Sequence, residues 1–77
     1  MRQILIEVCR ERQARPEEIR GPRRFKELFI VRAEAMRRMH DEAGYSLPQI
    51  GRFFSGRDHT SVLNAVRRAR KIRARGE

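Results

Sequence analysis

The sequence predicts an all-α domain of about five helices. Three observations predict it. Apolar residues recur at three- and four-residue steps along most of the chain. No segment sustains the strict alternation of a half-buried strand. Proline, glycine and capping residues punctuate the pattern where helices should start and stop: Pro16, Gly21-Pro22, Gly44, Ser46 to Gln49, Gly56 and Asp58. With 77 residues, the chain is expected to form one domain with a modest core and no large enclosed active site.

The elements follow in order. Leu5, Val8 and Cys9, with Met1 and Ile4 nearby, place a helix over residues 2–13. Pro16 with Glu17 and Glu18 suits the first turn of a short second helix. Proline tolerates that turn, acids favour the positive end of the helix dipole, and Gly21-Pro22 stops the helix. Phe25, Leu28, Phe29, Arg32, Met36 and Met39 mark a long third helix, with Ala33 and Ala35 beside them. Its apolar residues are expected in the core, and its end near Ala43-Gly44 uses a left-handed glycine. Ser46 and Gln49 form a capping box around Pro48 and open a fourth helix that runs to about Phe54. Gly56 breaks the chain, and Asp58 caps a fifth helix with an apolar stripe of Val62, Val66, Ala69 and Ile72.

Charge narrows the function. The 19 basic residues against 10 acidic ones give a formal net charge of +9. All but Lys26 and Lys71 are arginine, whose planar fork suits phosphates and guanine edges. Such a balance favours a polyanion, with nucleic acid the default partner. The excess is uneven: +4 over residues 21–40, −1 over 41–60 and +5 over 61–77. No apolar run approaches the roughly 20 residues of a membrane span. An amphipathic membrane-surface helix is less suitable than a core role for Phe25, Leu28, Phe29 and Met36. A lone Cys9 allows no internal disulfide, and Cys9, His40 and His59 lack metal-ligand spacing.

Residues 46–73 have the anatomy of a helix-turn-helix: a short helix, a glycine-bearing turn and a longer helix. In that motif the start of the second helix reads base edges in the major groove. Here the start reads Arg57-Asp58-His59-Thr60-Ser61. Asp58 can accept from cytosine or cap its helix, and His59 can donate or accept. Thr60 offers a methyl to thymine, while Ser61 can reach a phosphate.

The strings Ser46-Leu47-Pro48-Gln49-Ile50-Gly51 and Gly56-Arg57-Asp58-His59-Thr60-Ser61-Val62-Leu63 resemble the C-terminal DNA-binding domain of the bacterial chromosomal replication initiator DnaA. The resemblance covers roughly residues 3–72. It implies a Trp-repressor-like helical fold and recognition of a short A·T-rich box in double-stranded DNA. By this resemblance Arg24 enters the minor groove, while Pro48, Asp58, His59 and Thr60 read bases. Lys26, Arg32, Arg57, Ser61 and Arg68 contact phosphates. The chain differs from the family pattern at Ala33 (glutamine), His40 (commonly basic), Ser55 (glycine), Ser61 (threonine) and Asn64 (histidine).

The sequence lacks a phosphate-loop motif. Ser55, Asp58 and His59 fall close together but do not compose a nucleophile site. The chain is therefore expected to be non-enzymatic, without cofactor, metal or nucleotide. It is expected to act as a monomer in the cytoplasm, at the nucleoid. Replication proteins are a second expected class of partner, since a protein-interaction or transcription-regulatory module that keeps the fold is the alternative reading.

Overall fold

In the computed structural model, the described residues are 1–15 and 26–75, with the side chains of Lys26 and Glu27 excluded. The short helix expected from Pro16, and the residues Arg24 and Phe25, lie outside them. The described residues form four helices and no strand: α1 (Arg2–Arg12), α2 (Lys26–Arg37), α3 (Leu47–Phe53) and α4 (His59–Ala74). A π-helical turn, Arg38–Glu42, extends α2.

One core joins all four helices. Leu5, Val8 and Cys9 of α1 meet Val31, Ala35 and Met36 of α2 and Met39 of the π turn. Ile50 and Phe54 close one end, and Val62, Ala65, Val66 and Ala69 of α4 complete the core. Phe54 is the largest fully buried side chain. Phe29 departs from expectation. Instead of joining the core, it is 39% exposed, an exposed large hydrophobic side chain. The inward face of α2 is supplied by Val31, Ala35 and Met36. Phe29 sits on the flank that faces polar residues of α4.

The end of α2 is over-determined. The Ala43 N–H donates to the Arg38 carbonyl at 3.0 Å, a five-residue span that defines the π turn. Gly44 then takes φ 79°, the expected left-handed residue, and the Tyr45 N–H closes on the Met39 carbonyl at 2.9 Å. Nδ1 of half-buried His40 lies 2.8 Å from the Tyr45 carbonyl, which can only accept, so this nitrogen carries a proton.

A chain of ion pairs ties α1 to α2. Glu34, almost fully buried, accepts two hydrogen bonds of 2.9 Å from Arg37 and one of 2.8 Å from Arg38. Arg38 reaches across to Glu11 through bonds of 2.7 and 3.0 Å. Arg37 also meets Glu42 at 3.2 Å, five residues on, a separation that the π turn brings onto one face. A second pair, Arg70 to Asp41, clamps α4 to the π turn.

The expected capping box is present at α3. The Gln49 N–H donates to Ser46 Oγ at 3.3 Å, and the Ser46 N–H donates to Gln49 Oε1 at 2.9 Å. The chain leaves α3 through two consecutive left-handed residues, Ser55 (φ 66°) and Gly56 (φ 72°). A left-handed conformation costs an L-residue roughly 1–2 kcal/mol, and glycine avoids most of that. Ser55→Gly is therefore expected to stabilise the fold by about 0.5–1 kcal/mol. The measurement is a urea titration, read as a higher midpoint at unchanged slope; an unchanged or lower midpoint contradicts the strain.

Candidate nucleic-acid interface

The turn between α3 and α4 is aimed by one close approach. The Arg57 N–H donates to the Gly51 carbonyl at 2.9 Å. A Cβ on Gly51 would collide with the backbone carbonyl of Arg57. Glycine at position 51 is thus what lets the Arg57-Asp58-His59 segment lie against α3. Sequence reasoning named Gly51 only as part of a motif; its contact is with a residue six positions away and has no local signature.

Asp58 occupies the N-cap position of α4 with extended dihedrals, as expected. Its carboxylate makes no capping hydrogen bond. It turns instead toward His59, with Oδ1 3.3 Å from Nδ1, and both side chains are about two-thirds exposed. The expected side-chain cap is therefore absent, because the carboxylate is engaged by the neighbouring imidazole. Thr60 and Ser61 are also exposed. The result is an exposed polar ledge at the start of a 16-residue helix, where free N–H groups and the helix dipole favour anions.

Beside the ledge, Arg32, Arg57 and Ser61 line one open cleft of about 440 Å³ with Ala33, Met36 and Ala65. Three residues expected at phosphates thus converge, although they come from α2, the turn and α4. Arg32 is only 4% exposed, so it belongs to the wall of the cleft and not to the outer surface. Ala33, fully buried, keeps this cleft shallowly apolar where a glutamine would place an amide.

The remaining site residues are spread around this centre. Pro48 is exposed in the first turn of α3, one helix away from the ledge. Arg68 is exposed along α4. Arg24 and the side chain of Lys26 lie outside the described residues. Not all arginines of the basic blocks are available to a partner: Arg37, Arg38 and Arg70 are engaged by Glu34, Glu11, Glu42 and Asp41. Hydrogen bonds from Arg38 and Arg70 hold the carboxyls of Glu11 and Asp41 below their ordinary range.

A second groove lies beside the first. Phe29 lines both, and the further one, about 530 Å³, runs along α4 past Arg68, Lys71 and Ile72 to Arg75. Among the described residues there is no cluster of three or more metal-ligating side chains. No helix among them is long and apolar enough to cross a membrane.

Comparison of the sequence with known proteins shows its family. The family profile described as the bacterial dnaA protein helix-turn-helix matches residues 1–69. The chain is similar to the chromosomal replication initiator protein DnaA of Thermus thermophilus, with 37% identity over 70 residues. That match covers 91% of this chain and 16% of the relative. It is also similar to the same protein of Thermomicrobium roseum, 40% identical over 63 residues, covering 82% of this chain and 14% of the relative. The corresponding protein of Ruegeria sp. is 41% identical over 59 residues, covering 77% and 13%. The chain spans about one-sixth or less of the length of these relatives.

Proposed function

The chain belongs to the bacterial DnaA helix-turn-helix family, and from that premise we propose that it binds double-stranded DNA sequence-specifically at short A·T-rich initiator boxes. Its role is in replication initiation or its control. The observation that carries this reading is the exposed ledge Asp58-His59-Thr60, set beside the cleft of Arg32, Arg57 and Ser61. Bases are read where the surface is polar and weakly charged, and the adjoining cleft takes a backbone phosphate.

In this arrangement the first turn of α4 enters the major groove. Thr60 packs its methyl on a thymine, Asp58 and His59 reach base edges, and Pro48 approaches a base from α3. Arg24, ahead of α2, enters the adjacent narrow minor groove, whose potential attracts arginine. Arg32, Arg57 and Ser61, with Lys26 and Arg68, hold phosphates. The segment supplies binding alone, as one module without ATPase activity.

The test is a titration of labelled duplexes with an intact or scrambled A·T-rich box at several salt concentrations. With about six phosphates neutralised, log affinity falls against log salt with a slope near −5. Thr60→Ala is expected to reduce discrimination between the duplexes by about 1–3 kcal/mol. Equal affinity of the unaltered protein for both duplexes refutes specific reading. A protein-interaction module that keeps the fold would bind neither.

A further inference from the structure

The groove beyond the cleft has a composition that duplex reading does not require. Phe29 and Ile72 form its floor, and Arg67, Arg68, Lys71 and Arg75 its walls. The four cations make no ion pair among the described residues, whereas Arg70, on the other side of the same helix, is held by Asp41. Phe29 supplies an accessible aromatic face among them. An exposed apolar ring amid cations that make no ion pair among the described residues fits poorly with a duplex, whose bases are stacked inward and which offers only phosphate and sugar outside its grooves. It fits a strand whose bases are free to stack.

Reach separates this groove from the duplex site. Lys71 lies twelve residues beyond His59, about 18 Å along the helix at 1.5 Å per residue. Lys71 and Arg75 therefore lie far along the helix from the ledge at its start. Arg68 stands at the boundary between the two surfaces. Phe29 lines both the groove and the cleft, so the two surfaces are neighbours.

We propose that the groove of Phe29, Arg67, Lys71 and Arg75 is a second nucleic-acid site that binds single-stranded nucleic acid, with a base stacked on Phe29 and phosphates along α4. The proposal rests on the duplex reading for its biological setting, but its binding chemistry is independent of it. It gives the module two modes: a box read at the helix start, and an unpaired strand held along the helix body.

The chain has no tryptophan, so Phe29→Trp introduces a single reporter. Oligo-dT is expected to quench its emission strongly by stacking, and more than a blunt box duplex does. In the otherwise unaltered chain, Lys71→Gln with Arg75→Gln is expected to weaken oligo-dT binding about tenfold while box-duplex affinity stays within about twofold. With about four phosphates held, the salt slope for oligo-dT is near −3. Circular dichroism confirms that each variant is folded. Absence of oligo-dT binding, absence of quenching, or an equal loss for oligo-dT and duplex overturns the proposal. Equal quenching by a poly-glutamate peptide also overturns it, making the groove a protein site. If oligo-dT binds as expected but box and scrambled duplexes bind equally, the duplex reading fails and this one stands.

Discussion

Glu34→Ala is expected to destabilise the fold by about 1–3 kcal/mol, the cost of taking the two-bond partner from a buried guanidinium and leaving it only Glu42. The Arg37 side chain is only 5% exposed and its guanidinium is held by two bonds from one carboxylate. Removing Glu34 leaves that charge to its single contact with Glu42 and also removes the Arg38 bond to α2. For a chain of this size the loss is a large part of the total, since stability runs at roughly 0.05–0.15 kcal/mol per residue. Thermal and urea unfolding measure it. A loss under about 1 kcal/mol would mean that Arg37 escapes to solvent.

The same carboxylate makes stability pH-dependent. Burial opposes ionisation of Glu34, but hydrogen bonds from Arg37 and Arg38 outweigh it and hold its carboxyl below the ordinary 4.5. Its folded-state value is depressed, so the stabilisation is complete above the unfolded value. It is lost as pH falls from about 4.5 through the folded value. Glu34→Gln keeps the shape and should give a shallower acid limb in a series of unfolding curves.

Gly51→Ala is expected to cost about 1–3 kcal/mol, the usual range for overpacking, and to weaken box-duplex binding about tenfold or more. The added methyl meets the Arg57 backbone, which cannot swing aside as a side-chain tip would. Relief requires moving Arg57 away from α3, carrying Asp58 and His59 with it and opening the cleft to Arg32. Gly56→Ala is the control. Its φ of 72° is strained for alanine, but its Cβ would meet nothing within 4 Å. It should cost about 1–2 kcal/mol without displacing Arg57. Unfolding curves and duplex titrations on both variants separate the two effects. Unchanged binding by folded Gly51→Ala protein would show that the ledge is not aimed by this contact.

What could be read from the chain depended on how locally each feature is determined. The capping box of Ser46 and Gln49, left-handed Gly44 and buried Cys9 rest on interactions within a few residues or on intrinsic preference. They were legible. Phe29 was not, because periodicity identifies a helix face but not whether a neighbour covers it. Nor was the engagement of Arg38 by Glu11, 27 residues away. Counting charges by segment assigns both to separate blocks, whereas the fold cancels them against each other. Arg32, Arg57 and Ser61 were named by family resemblance; their convergence on one cleft from three separate parts of the chain is a property of the packing.

The bond from His40 to the Tyr45 carbonyl has a consequence for the end of α2. Because the carbonyl can only accept, Nδ1 bears hydrogen whether the imidazole is neutral or cationic. Any proton the ring gains goes to Nε2, on the far side from that bond. The latch that holds the π turn against the approach to α3 therefore works in both charge states of its own histidine.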